Sequence, residues 1–343
     1  EATIHARIAA ARRAVGDDGR RQAVIATVAR RGIRFVPPVE RIADTPAPPP
    51  VAVPAPAPAP PPAGSAAVRL CRSRDGTRLA FATTGDGPPV VRAGHWLTHL
   101  EHDLGSPLWR PVIDAFSEFS TFVRYDARGN GLSDRDTDDL SLATLADDLL
   151  AVADAAGLDR FVVYGTSQGV PIALTVAERH PERVRALVLH GGFSRGRTVR
   201  SVESKAAGEA YVTLMRQGWA AEGSQFLQAF ASIFIPDGSP EQVRSLTELQ
   251  RIATDVAMAV RLRQAFDAMD VTALLPSIRV PTLVLHARND GVHPLSESIG
   301  LAAEIADARL VVLDSRNHVL VPHEPAWPVF YAELRRFLGT IEA

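Results

Sequence analysis

Phe161-Val162-Val163-Tyr164 is an apolar, β-branched and aromatic run that stops at Gly165-Thr166-Ser167-Gln168-Gly169, and a helical pattern follows over 171–179. Strand, tight turn and helix in that order leave few folds open. A serine carried by a buried strand to the start of a helix needs small residues two before and two after it, because the turn crowds those backbones together. The helix end that faces the serine also favours negative charge developing beside it. Gly-x-Ser-x-Gly without context is weak evidence, since a packed strand-to-helix crossover uses the same glycines. The flanking strand and helix point instead to a serine presented as a nucleophile.

The same alternation of strand and helix continues through residues 67–343. Strand patterns at 69–73, 78–83, 90–93, 121–125, 161–164, 186–190, 282–286 and 310–313 interleave with amphipathic patterns at 108–119, 142–156, 170–179, 294–305 and 324–337. That order predicts an α/β fold, an eight-stranded and mostly parallel sheet covered on both faces. Asp75-Gly76-Thr77 joins the first two strands into an antiparallel hairpin. Residues 194–276 interrupt the sheet, and apolar spacing near 3.6 at 201–218, 222–233, 240–253 and 255–267 reads as a helical cap over the carboxyl edge of the strands. Met215, Trp219, Phe226, Phe230, Phe234 and Met258 could line a pocket beneath it, but apolar residues at helical spacing usually pack cap against core.

A serine hydroxyl is a poor nucleophile at neutral pH without a base to take its proton and an acid to orient that base. The apolar run 281–286 ends in Ala287-Arg288-Asn289-Asp290-Gly291, and the run 310–313 ends in Asp314-Ser315-Arg316-Asn317-His318. Asp290 and His318 therefore stand at carboxyl ends of strands, where open α/β sheets bind ligands. The order is Ser167, Asp290, His318. Ten histidines compete for the role of base. His286 lies within a strand and His180 at a helix end, whereas His293 and His323 are nearer rivals; Asp314 is the rival acid.

With these segments assembled, residues 68–340 resemble the α/β-hydrolase superfamily. Tyr125-Asp126-Ala127-Arg128-Gly129-Asn130-Gly131-Leu132-Ser133-Asp134 is similar to the Asp-x-Arg-Gly-x-Gly-x-Ser run after the fourth strand of esterases, lactonases and cofactor-free perhydrolases of that family. The family commonly has His-Gly after its third strand, whereas here the dipeptide stands inverted as Gly94-His95. The resemblance implies an oxyanion hole formed by the main-chain N–H groups of Trp96 and Gln168. One such donor can be worth about 3–4 kcal/mol in a transition state. Ser167 at the elbow, where related dehalogenases and epoxide hydrolases carry aspartate, implies acyl transfer on a carboxylic ester or lactone, with no cofactor and no metal.

The first residues differ in character. Apolar positions over 4–15 alternate with His5, Arg7, Arg12 and Arg13, Gly16-Asp17-Asp18-Gly19 stops that helix, and 24–28 and 33–36 flank Ala29-Arg30-Arg31-Gly32 as a hairpin with a basic tip. Helix, turn and hairpin resemble the last part of a response-regulator-type winged-helix DNA-binding domain. Arg12, Arg13, Arg30 and Arg31 are its implied DNA contacts. The resemblance covers about 40 residues of the chain, so a longer parent supplying the remaining helices is expected. Residues 1–44 hold nine arginines against five carboxylates, a balance of +4, and the whole chain is −2. Arginine is favoured throughout, because Lys205 is the sole lysine.

Ten prolines in the seventeen residues 46–62 separate the two parts. As polyproline II they make a semi-rigid spacer of roughly 50 Å. The expected organisation is a partial winged helix at 1–44, a linker at 45–66 and the hydrolase-like domain at 67–343. A single cysteine, Cys71, forbids an internal disulfide and suits a reducing cytoplasm. No apolar stretch is long enough for a membrane helix, and no signal peptide or metal-ligand cluster is legible.

Three functions fit these features. The first is a serine hydrolase of small esters or lactones. A transcription regulator whose hydrolase-like domain senses such a molecule is the second, and a non-catalytic interaction protein the third. Retention of all three side chains of a triad argues against the last.

Overall fold

The computed structural model describes residues 12, 16–17, 20–28, 32–36, 67–219 and 224–342. The chain divides into two compact units, Glu1–Pro60 and Pro61–Ala343.

In the first unit, β1 (Ile25–Val28) pairs antiparallel with β2 (Gly32–Phe35), Ile25 opposite Phe35 and Val28 opposite Gly32. Asp17 gathers the chain entering β1, its carboxylate accepting from the N–H groups of Ala23, Val24 and Ile25 at 2.8–3.0 Å. The expected hairpin is therefore present. Most of the helix expected over 4–15 lies outside the described residues.

The second unit is built on eight strands. They are β3 (Arg69–Arg72), β4 (Arg78–Thr84), β5 (Pro89–Arg92), β6 (Thr121–Tyr125), β7 (Phe161–Thr166), β8 (Val184–His190), β9 (Thr282–Ala287) and β10 (Ala308–Leu313). Their order across the sheet is β10-β9-β8-β7-β5-β6-β4-β3. Only β4 runs against its neighbours, pairing antiparallel with both β3 and β6. β7 and β9 are buried at every residue, which explains why their sequences are nearly continuous apolar runs rather than alternating ones.

Helices close both faces. One face packs under α3 (Leu142–Ala155) and α4 (Gly169–Arg179), which bury Leu145, Leu149, Val152, Ile172 and Val176 against Val91, Val123 and Val163. The other packs under α2 (Arg110–Ser117) and α11 (Ala326–Glu342), around Val90, Phe122, Val162 and Tyr164. There Phe116 stacks on Phe122 with ring centroids 4.5 Å apart. Short helix α1 (Leu100–Gly105) was not legible as a pattern, because six residues span less than two turns.

The expected cap is present as α5 (Arg197–Arg200), α6 (Val202–Gly218), α7 (Gln225–Phe234), α8 (Pro240–Ala253) and α9 (Val256–Asp267), followed by α10 (Leu295–Glu304) back on the sheet. Ser201, Ser224, Ser239 and Asp255 each accept a main-chain N–H of the helix they precede. Ser239 and Gln242 complete a reciprocal capping box, and Pro240 opens the helix where its missing N–H is harmless. Phe230 joins the cap's aromatic core, its ring within 6.5 Å of those of Trp96, Tyr211, Trp219, Phe226 and Phe234.

Candidate active site

Ser167 follows β7 directly and has φ +52°, a left-handed conformation that a side-chain-bearing residue adopts at a cost. The two glycines of the turn are needed for contact. A Cβ on Gly165 would meet the Gly169 carbonyl oxygen at 2.9 Å, and one on Gly169 would meet the Ala93 and Gly94 oxygens at 3.2 Å. The Ser167 N–H donates to the His190 carbonyl at 2.9 Å, which ties the turn to neighbouring β8.

Three residues far apart in sequence meet at the carboxyl ends of β7, β9 and β10. The Ser167 Oγ lies 2.8 Å from His318 Nε2, and His318 Nδ1 lies 2.6 Å from Asp290 Oδ2. Asp290 also accepts from the N–H groups of Val292 and His293 through Oδ1, at 2.7 and 3.2 Å. Burial alone would raise this carboxyl. The facing His318 imidazole, its hydrogen bond and the Val292 N–H together bring it below the ordinary carboxylate range. An ionised Asp290 accepts the Nδ1 proton of His318 and leaves Nε2 free to accept from the serine.

The rival residues are accounted for. Asp314 is exposed, and His323 donates to the Asp237 carbonyl at 3.2 Å on the surface. His180 faces Glu182 at the end of α4. His286 is wholly buried and holds the turn from beneath, through Ser298 at 2.7 Å and the His293 carbonyl at 3.1 Å. His293 comes closer than sequence reasoning placed it, with Nε2 3.5 Å from Ser167 Oγ. Burial, then the charges of Arg197 and His318, push His293 well below the usual histidine range, so it stands neutral beside Ser167.

A narrow chamber opens at Ser167 and His318, walled by Trp96, Leu97, Trp109, Phe230, Phe234 and Leu249. Of the cap residues singled out from sequence, only Phe230 and Phe234 reach it; Met215 and Trp219 are core. Gln168 begins α4 as its N-cap, and both Trp96 and Gln168 line the chamber. Among the described residues neither of their main-chain N–H groups donates to a protein acceptor. Nucleophile, base, acid and two available donors around one chamber can support addition to a carbonyl carbon.

Residues 97–325, about two-thirds of the chain, match the family model described as alpha/beta hydrolase fold. The chain belongs to the α/β-hydrolase family. It is 33% identical over 251 residues to a RutD protein of Azorhizobium caulinodans named as a carbamate hydrolase, covering 69% of this chain and 88% of that one. A pimeloyl-[acyl-carrier protein] methyl ester esterase of Nitrosomonas europaea is 28% identical over 249 residues, covering 70% and 92%. Among solved structures, a hydrolase from Pseudomonas aeruginosa superposes with TM-score 0.67 at 25% identity, covering 80% of this chain and all of that one.

In this α/β-hydrolase the Asp126–Ser133 run is a clamp. Arg128 is buried and reaches Asp148 on α3 with two nitrogens, at 2.6 and 2.7 Å, and Asp75 in the β3–β4 turn at 2.7 Å. The Ser133 hydroxyl donates to the Asp126 carbonyl and accepts from the Ala80 N–H, pinning the loop to β4. Asp126 also accepts the Leu100 N–H at 3.2 Å, which holds the start of α1 just after the loop that carries Trp96 and Leu97 to the chamber.

Other hydrolase residues were not found from sequence. Asn317 accepts the Asp237 N–H at 3.0 Å and donates to Glu324 at 3.1 Å, holding the loop that carries His318. Gly191, with φ +57°, lets β8 pass close under His318, and a Cβ there would lie 3.3 Å from the imidazole. Gln250 stands on the apolar stripe of α8 between Leu246, Leu249 and Ala253, and a polar residue at such a position is the signal that could have marked it.

Of the four implied DNA contacts, Arg12 alone lies among the described residues. Arg12 is buried and turned inward, donating to the Ile25 carbonyl at 3.0 Å and the Thr27 hydroxyl at 2.9 Å, so its guanidinium braces the hairpin. This corrects its reading as a phosphate contact. Arg13, Arg30 and Arg31 lie outside the described residues. Among the described residues no helix is long and apolar enough to cross a membrane.

Proposed function

We propose that the protein is a serine hydrolase that cleaves small carboxylic esters, lactones or carbamates through an acyl-enzyme. Ser167 attacks the carbonyl carbon, His318 takes the hydroxyl proton and returns it to the leaving oxygen, and Asp290 holds the imidazole in the tautomer this requires. The N–H groups of Gln168 and Trp96 receive the oxyanion. Water then attacks the acyl-enzyme, His318 again serving as base. No step calls on a metal or a cofactor.

One observation carries this reading, the unbroken Ser167–His318–Asp290 chain of 2.8 and 2.6 Å contacts at the mouth of the chamber. Esters and carbamates are supported as substrates by the names of the relatives, and the modest chamber favours small ones. The reaction needs nothing from the N-terminal hairpin, so the hydrolase unit accounts for the activity. The test is stopped-flow hydrolysis of p-nitrophenyl acetate. An initial burst of p-nitrophenol stoichiometric with protein, absent in Ser167→Ala, is expected; turnover that survives Ser167→Ala would refute the assignment.

A further inference from the structure

The chamber is not a plain apolar pocket. Five of its wall side chains carry a buried polar atom with no protein partner, namely Trp96 Nε1, Trp109 Nε1, His95 Nε2, Gln168 Oε1 and Gln250 Oε1. Gln250 is the most informative of them. Its Nε2 donates to the carbonyls of Leu246 at 3.2 Å and Leu227 at 3.4 Å, which settles the orientation of the amide and leaves Oε1 as an uncommitted acceptor. Buried polar atoms are nearly always paired, so a cluster without partners around one chamber marks where a ligand supplies them.

The chemistry of the cluster is specific. Two indole N–H groups donate, two amide oxygens accept, and the imidazole of His95 can do either. Burial and the neighbouring Arg92 charge hold His95 well below the ordinary histidine range, so it is neutral. No carboxylate, guanidinium or ammonium lines the chamber. A charged acyl group would therefore enter without a counter-ion, and a purely apolar one would leave the five atoms unpaired.

We propose that the chamber selects a neutral acyl group bearing an amide-like donor–acceptor function, with Gln250 and Trp109 as specificity-determining residues. This rests on the acyl-enzyme reading for which part of the substrate enters, since the carbonyl must sit between Ser167 and the oxyanion donors.

The test compares methyl N-acetylglycinate with methyl 4-methylpentanoate, two esters of nearly equal shape of which only the first carries an amide. With methyl as the leaving group of both, the two esters differ in the acyl part alone. Calorimetry on Ser167→Ala protein is expected to show tighter binding of the amide ester, and adding Gln250→Leu to reduce that preference about tenfold or more. In the active enzyme the ratio of kcat/KM for the two esters falls similarly from wild type to Gln250→Leu, a change in which their intrinsic reactivities cancel. Trp109→Phe, which keeps an aromatic ring and removes the donor, lowers the same ratio and serves if Gln250→Leu does not fold. Equal binding of both esters, or a preference unchanged in both variants, overturns the proposal. Preferential binding without wild-type turnover supports the chamber assignment and sinks the acyl-enzyme reading; turnover without preference does the reverse.

Discussion

The main-chain N–H of His318 donates to the carbonyl of Phe234 at 2.8 Å, so the cap helix α7 and the loop bearing the His318 imidazole are joined by backbone. The Asp237 N–H to Asn317 contact lies just beyond, at 3.0 Å. Cap and base are thereby held in one frame, and the imidazole depends on the cap for more than a roof. Asn317→Ala removes the second tie and the link to Glu324. It is expected to lower kcat about tenfold with a smaller change in KM, because misplacing a proton-transfer group slows chemistry more than binding. Steady-state kinetics on a p-nitrophenyl ester measures this, and an unchanged kcat would count against the coupling.

Asp290→Asn keeps the shape of the turn while allowing the side-chain amide to donate toward His318 Nδ1, which favours the wrong tautomer. A fall in kcat on the order of 10³–10⁴ is expected with the fold retained. Circular dichroism checks the fold and ester turnover the rate. Activity within a few-fold of wild type would mean that another carboxylate serves.

Gly191→Ala puts a methyl group 3.3 Å from the His318 ring at a residue with φ +57°. Left-handed backbone costs a non-glycine residue about 1–2 kcal/mol. Lower thermal stability is expected together with reduced kcat, since the imidazole must shift to make room. Gly157→Ala has the same kind of backbone, φ +76°, with open space around its Cβ, and is expected to lower stability alone.

Asp290 also makes stability depend on pH. Its carboxyl lies below the usual range in the folded protein because of the His318 imidazole and its hydrogen bonds, against the opposing effect of burial. Such a group stabilises fully above its unfolded pKa, about 3.9, and that contribution is lost as pH falls through the folded value. The stability difference between wild type and Asp290→Asn is therefore expected to be larger near neutral pH and to shrink below about pH 4. Urea melts of both proteins across that interval measure it, and a difference that grows on acidification would contradict the sign.

Ser167, Asp290 and His318 were legible because each ends an apolar strand, so local pattern alone placed them on one edge of the sheet. The cap helices were legible for a similar reason, their 3.6-residue spacing being sustained over 10–17 residues. What escaped depends on contacts between distant segments. His293 approaches Ser167 only because the turn after β9 folds back across β8, and no spacing records that. Gln250 sits on an apolar stripe, where one amide among leucines is easily taken for a helix-face variation. The role of Arg12 was misread because an arginine beside a basic hairpin looks like a surface charge, whereas two hydrogen bonds turn it inward.

In the proposed reaction His318 activates Ser167 to attack a carbonyl or an equivalent electrophile. The most direct measurement is intact-protein mass spectrometry after treatment with a fluorophosphonate, followed by peptide mapping of the adduct. Activation predicts a single adduct on Ser167, formed quickly in the wild type, strongly slowed in His318→Ala and absent in Ser167→Ala. An unlabelled wild-type Ser167, or labelling at a rate indifferent to the loss of His318, would contradict it.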